Sequence, residues 1–231
     1  MIQKIFYTLI FLTLIPSISN AHLYHYKEIK KIEMEIFRNN KLIGFNNYYF
    51  NFDKDTMIVT NKIKFNVKFL GKTIFRVEGS AEEKYLNGKL ISFNSKTLQN
   101  KKRKFVDLEY DKNKKKYIIN GSSFKGEAEI NNIIGNWWNH KILQANAQIS
   151  PISGSIKKQI VSFQGNKNIT LYDKTYNVDH FKLISKNQNL SENKKLNFDI
   201  WYNKKNGIIL KVSYLRMGKW EYRVKNIEQK N

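Results

Sequence analysis

The sequence predicts an all-β fold, an antiparallel multi-stranded meander that forms a curved sheet, a half-barrel or a barrel. Three observations carry this expectation. Almost every segment after the N-terminal leader alternates apolar and polar residues with period two, as a strand with one buried face does. Polar turn signals separate these segments, with Asn87-Gly88, Asn120-Gly121 and Asn206-Gly207 the sharpest of them. Two prolines in the whole chain and no low-complexity run leave no linker, so a single domain is expected from residue 22 to 231.

The strands follow one another in order. Ile32, Met34 and Ile36 alternate with Lys31, Glu33 and Glu35, Asn39-Asn40-Lys41 turns the chain, and Leu42 to Phe52 returns. Met57, Val59, Ile63, Phe65, Val67 and Phe69 share one face of a long strand. Phe75, Val77, Gly79, Ala81 and Tyr85 line the next, before Asn87-Gly88. Ile91, Phe93, Ser95 and Thr97 come next, then Val106, Leu108 and Tyr110 opposite Asp107 and Glu109. The stretch from about Asn131 to Gly154 breaks the rhythm and leaves room for at most one short helix, around Lys141 to Ala147. Strands resume with Val161 and Phe163, then Tyr176 to Ser185, then Leu196, Phe198, Ile200 and Tyr202. Ile208 to Tyr214 and a last hairpin from Gly218 through Trp220, Tyr222 and Val224 complete the meander.

Residues 1–21 read as a cleaved signal peptide. Lys4 precedes an apolar run from Ile5 to Ile15, Pro16 ends it, and Ser19-Asn20-Ala21 places small residues before the cut. That run is shorter than the roughly 20 residues of a membrane-spanning helix. The mature chain is therefore expected in the periplasm, starting at His22. There is no cysteine, which removes thiolate nucleophiles, Cys-rich zinc sites and disulfides. A formal charge of +22 could face an anionic membrane surface, while export argues against nucleic acid as the partner. Solvated turns and strand edges guarded by lysine account for the same charge.

Catalytic vocabulary is thin. Gly-x-Ser-x-Gly, phosphate-binding loops and His-Glu-x-x-His are all missing from the sequence. Asp179 and His180 are adjacent, but neighbours on a strand face opposite ways, so adjacency makes no dyad. Asp107 and Glu109 read as the wet side of their strand. No catalytic residue, resident metal or cofactor is expected. His22-x-x-His25 would put an N-terminal amine and two imidazoles within reach of a copper ion if cleavage follows Ala21, but a flexible, exposed start whose histidines do nothing is the simpler reading of the same residues.

Trp137-Trp138-Asn139-His140 is the least ordinary local composition. The two tryptophans could form an aromatic platform at a pocket mouth with His140 as its polar handle, so Trp137, Trp138 and His140 are the candidate ligand-binding residues. Alternatively one tryptophan anchors a crossover loop in the core and the other packs beside it.

These features together resemble a family of uncharacterised exported bacterial proteins, domain-of-unknown-function family 6134. The resemblance rests on a first hairpin ending in Leu42-Ile43-Gly44 and on Asn87-Gly88-Lys89-Leu90 running into Ser95-x-Thr97. It rests further on the Trp/His loop before Ser153-Gly154, and on Trp201-Tyr202 with Gly207 and a strand after it. It implies a periplasmic all-β protein and supplies no activity. The functional expectation is a non-enzymatic protein that binds a lipid or other apolar or amphipathic ligand on its curved sheet. An envelope structural or assembly factor that binds a protein partner is the alternative.

Overall fold

The computed structural model describes residue 23 and residues 25–230; the expected leader and His22 lie outside the described residues. Alternation is realised as strands β1 (Ile29–Arg38), β2 (Lys41–Asp53), β3 (Thr56–Phe69), β4 (Lys72–Leu86) and β5 (Lys89–Gln99). They continue as β6 (Lys102–Asp111), β7 (Lys116–Gly121), β8 (Lys125–Glu129), β9 (Ile133–Ile134) and β10 (Ala147–Ile149). The chain ends with β11 (Ile156–Leu171), β12 (Lys174–Ser185), β13 (Asn197–Asn203), β14 (Ile208–Leu215) and β15 (Lys219–Gln229).

All fifteen belong to one sheet, in the order β8-β7-β6-β5-β4-β3-β2-β1-β15-β14-β13-β12-β11-β10-β9. Two meanders, one from each half of the chain, are thus joined where the first and last strands pair, Ile32 opposite Ile227 and Ile36 opposite Tyr222. The pairing is antiparallel throughout except for the two-residue contact of β9 with β10. β8 and β9 end the sheet without pairing, so it does not close into a barrel. A turn contact spans that end instead: Ser123 N–H donates to the Ser153 carbonyl at 3.0 Å. Gly121 lies so close to Ser153 that a Cβ there would sit 2.6 Å from its carbonyl oxygen.

The turns obey strand-hairpin chemistry. Asn39, Asn40, Asn87 and Asn100 adopt positive φ, the left-handed geometry that matches the twist of flanking strands and that Asn tolerates. The even-numbered set of β1 and the odd-numbered sets of β3 and β4 point inward. Ile32, Ile36, Val59, Val106, Leu108, Leu183 and Ile200 are buried in a single hydrophobic cluster that draws on both meanders. The sheet therefore curls around one interior.

Part of that interior is filled by the chain itself. The segment after β9 enters the concave side and carries a 3-10 turn, His140–Leu143, where the sequence suggested a helix over Lys141–Ala147. The helix stops early because Ala147 to Ile149 are drawn into β10, paired with Lys158 to Ile156. Asn139 caps the turn by accepting from the Lys141 N–H at 3.1 Å. Phe69 departs from the reading of its strand: it keeps the inward parity but is exposed, because β3 runs on past the filled interior.

Candidate functional site

The two tryptophans separate as strand-like neighbours do. Trp138 is fully buried, edge-on to Tyr26, Phe50 and Tyr85 with ring centroids 5.1, 5.4 and 5.8 Å away. Trp137 points toward the other meander, against Phe198 at 5.0 Å and Tyr222 at 6.3 Å. One indole fills the core and the other faces a cavity.

That cavity is about 270 Å³ and lies inside the sheet beside Trp137. Phe93, Phe198, Tyr214, Tyr222, Ile63 and Val77 supply its apolar wall. Asn46, Asn61, Glu83, Ser95, Thr97, Asn136 and Gln148 supply a polar one. Ile152, Glu192, Lys195, Leu215 and Arg216 line it where it meets the turns at one end of the sheet. Ala81 also lines it, so the inward row of β4 reaches directly into the space.

The polar wall is tied together by hydrogen bonds. Asn61 donates to Asn46 Oδ1 at 2.7 Å, Asn46 Nδ2 donates to the Tyr48 hydroxyl at 2.8 Å, and that hydroxyl accepts from the Trp137 N–H at 3.2 Å. Burial pushes the Tyr48 hydroxyl well above the ordinary phenol range, so it stays protonated. Gln148 Nε2 donates to Gln159 Oε1 at 2.7 Å, and Gln159 in turn donates to the carbonyls of Ile142 and Ala145.

Glu83 is the residue that reading the sequence missed. Its carboxylate is 2% exposed and accepts from Trp138 Nε1 at 2.9 Å, Asn136 Nδ2 at 2.7 Å and the Tyr85 hydroxyl at 2.6 Å. No cation pairs with it among the described residues. Burial raises its pKa to about 7, against which the three donors pull. The signal was available: position 83 completes the inward row of Val77, Gly79, Ala81 and Tyr85.

His140 sits apart from that cavity. Its Nδ1 lies 3.0 Å from the Gly207 carbonyl and 3.2 Å from the Tyr26 hydroxyl, which itself donates to the Trp138 carbonyl at 2.6 Å. Its ring is 5.1 Å from that of His25, and both line an open groove with Tyr202 and Gly207 at the far end of the sheet. Burial first, then the neighbouring His25, lowers the His140 pKa to about 4, so it is neutral at pH 7. Trp137 and His140 thus serve different spaces, and Trp138 lines neither. His25 packs against Gly207, where a Cβ would stand 2.7 Å from its Nε2. Among the described residues no group of three or more His, Cys, Asp or Glu is placed to hold a metal ion.

Asp179 and His180 face opposite ways, as their adjacency on a strand requires. Asp179 meets Lys204 at 2.8 Å, whereas His180 Nε2 meets Asp199 Oδ1 at 2.9 Å. Asp199 is also held by Lys182 at 2.8 Å, and the His180 ring stacks on Trp201 at 5.0 Å. This His/Asp pair belongs to a ladder of side chains across β12, β13 and β14 and lines none of the cavities described above.

No curated protein matches the sequence significantly. Among solved structures, the chain is similar to the crystal structure of a beta-barrel-like protein of domain-of-unknown-function family DUF1849 from Brucella abortus. The TM-score is 0.58 at 10% identity, over 87% of this chain and 97% of that one. At that identity the likeness speaks to the fold alone, and it agrees with a curled, unclosed sheet. A family model described as "Domain of unknown function (DUF6134)" matches residues 34–225, which run from within β1 to within β15 and include the Trp137–His140 segment and Glu83. The chain belongs to the DUF6134 family.

Proposed function

We propose that the protein is an exported, non-enzymatic binding protein of the periplasm that holds an amphipathic ligand, such as a lipid or another molecule with an acyl portion, inside its curled sheet. One observation carries the reading. The space beside Trp137 has an aromatic and aliphatic wall facing a wall of amides, hydroxyls and the Glu83 carboxyl. Such a surface suits a ligand that is greasy on one side and hydrogen-bonding on the other. A cavity of about 270 Å³ is near the lower end of ligand pockets, commonly ~300–1,000 Å³. It takes a small ligand whole or one arm of a larger one. The polar groups of the wall already bond one another, which preorganises them and removes the cost of ordering them on binding.

The reading keeps the ligand on the curved sheet that the sequence suggested and assigns it to the concave side rather than the outer face. One outward aromatic of β2, Tyr49, is covered by the lysines Lys31 and Lys62, whose ammonium groups lie 5.3 and 5.8 Å from its ring centre, while Phe45 on the same face is 38% exposed. The ligand space is interior instead. Solvent extraction of the purified protein followed by mass spectrometry tests it, with Ala81→Phe as the comparison. A phenyl ring at position 81 fills the space without removing any hydrogen bond. Recovery of an amphipathic compound from the wild type and not from Ala81→Phe supports the reading. Equal recovery from both, or none from either after exposure to envelope lipids, overturns it.

A further inference from the structure

We propose that one end of the sheet is a membrane-docking surface: three neighbouring hairpin tips insert apolar side chains among anionic lipid head groups. The tips join β1 to β2, β3 to β4 and β14 to β15. Because these strands are consecutive in the sheet, β4-β3-β2-β1-β15-β14, and antiparallel, their turns lie side by side at the same end. Leu42, Phe69, Leu70, Ile74, Leu215 and Met217 are all exposed there, Leu70 at 86% and Met217 at 87%.

Backbone geometry says these residues are there at a cost. Leu70 and Met217 adopt φ of +47° and +50°, a region that bulky side chains avoid. The same conformation falls to Asn39, Asn40, Asn87 and Asn100, as turn chemistry favours, and to Lys54, Lys115 and Tyr172 at the opposite end of the sheet. A leucine and a methionine in left-handed turns are therefore both strained and fully wet, which neither folding nor water contact rewards. Burial in an apolar medium would reward it.

Charge decides which medium. Arg38, Lys41, Lys68, Lys72 and Arg216 flank the three tips, Lys219 beside them pairs with Glu221, and Glu192 is the one acid in the turns at this end among the described residues. Apolar tips ringed by lysine and arginine fit an anionic bilayer surface, where the side chains enter the head-group region and the cations meet phosphates. Two of the tips are braced as a unit. Asn39 N–H donates to the Lys219 carbonyl at 2.8 Å, the Lys219 N–H donates back to Asn39 Oδ1 at 2.8 Å, and Arg38 donates to the Met217 carbonyl. Leu215 and Arg216 also line the interior cavity, so docking would present the cavity to the bilayer. That last consequence rests on the ligand reading; the docking surface does not.

Co-sedimentation with vesicles tests the proposal on the mature chain. Vesicles of phosphatidylethanolamine with phosphatidylglycerol are compared with vesicles of phosphatidylcholine alone, using the wild type and the double variant Leu70→Asn, Met217→Asn. Asparagine suits the left-handed turn, so the variant should fold with an unchanged or higher melting temperature. Binding of the wild type to the anionic vesicles, weakened at least about tenfold in the variant, supports docking. Equal binding by both proteins means general attraction of a basic surface and overturns it. Failure of the wild type to bind also overturns it, as does concentration-dependent self-association that the variant abolishes, which would assign the tips to a second copy. Ligand recovery from the double variant should match the wild type, so failure of docking and failure of the ligand reading are told apart.

Discussion

Trp138 donates its indole N–H to the Glu83 carboxylate at 2.9 Å, with both side chains sealed from water. That bond, with those from Asn136 and Tyr85, fastens the inserted segment to β4. An unpaired carboxyl is a costly tether in a dry interior, and three donors make it tolerable. The same anchoring holds the Trp137 side of the segment toward the cavity.

Glu83 and His140 give the fold two opposed pH dependences. A Glu pKa raised from 4.5 to about 7 means the folded chain binds the extra proton, so stability falls as pH rises through that window. A His pKa lowered from 6.5 to about 4 works in reverse, and stability falls as pH drops from 6.5 toward 4. Between about pH 4.5 and 6.5 the two slopes partly cancel. Glu83→Gln should unmask a stability that rises with pH in that range, and His140→Asn one that falls. Urea denaturation across the range checks both signs; identical profiles for the two variants would contradict the assignment.

The tryptophan pair should divide between stability and binding. Trp138→Ala removes a fully buried ring and one of the three donors to Glu83, costing roughly 3–5 kcal/mol. Trp137→Ala opens the wall of an existing cavity, where loss of about 1–2 kcal/mol is expected. Chemical denaturation measures both losses, and folded Trp137→Ala should yield less ligand than the wild type.

Gly44 marks a place where the backbones of β2 and β3 approach closely. A Cβ there would be 2.0 Å from the Lys64 carbonyl oxygen and 2.5 Å from the Phe65 Cβ. Gly44→Ala should therefore cost about 2–3 kcal/mol by forcing the strands apart, although alanine suits a strand no worse than glycine elsewhere. A melting temperature unchanged by this substitution would show that the two strands have room to separate.

On the outer face, Glu221 is held by Lys211 at 2.9 Å, Lys219 at 3.0 Å and Arg223, which donates through Nε at 2.9 Å. Although burial opposes ionisation, these cations bring its pKa down to about 2. Its contribution is present above the ordinary glutamate pKa and is lost as pH falls from 4.5 toward 2. Glu221→Gln should cost about 2 kcal/mol at pH 7, a figure reduced by the solvent that reaches its cationic partners. The difference from wild type should shrink toward zero in acid, as thermal melts at pH 7 and pH 2–3 would show.

Strands and hairpins were legible because alternation and turn residues are local properties. Val106 and Leu108 are buried as their alternation with Asp107 and Glu109 implies, and Asn87-Gly88 turns the chain with both residues at positive φ. Pairing of β1 with β15 was not legible, since nothing local tells a strand at one terminus about a strand at the other. Parity along β4 pointed Glu83 inward, but a carboxylate beside Glu82 reads as a solvent residue until its donors, which come from positions 85, 136 and 138, are brought to it. Phe69 misled in the other direction: alternation reports which side of a strand a residue is on and not whether the interior extends that far. The Trp137/Trp138 pair announced an unusual loop, while which ring faced the cavity depended on packing against Phe198 and Phe50 from opposite halves of the chain.

Native mass spectrometry of the gently desolvated wild-type protein, after incubation with an envelope lipid extract, addresses the interior binding site most directly. A discrete added mass that survives transfer, and that disappears in Ala81→Phe while the variant keeps its melting temperature, is the predicted result. A bare polypeptide mass under every condition, or an adduct that Ala81→Phe retains in full, would contradict it.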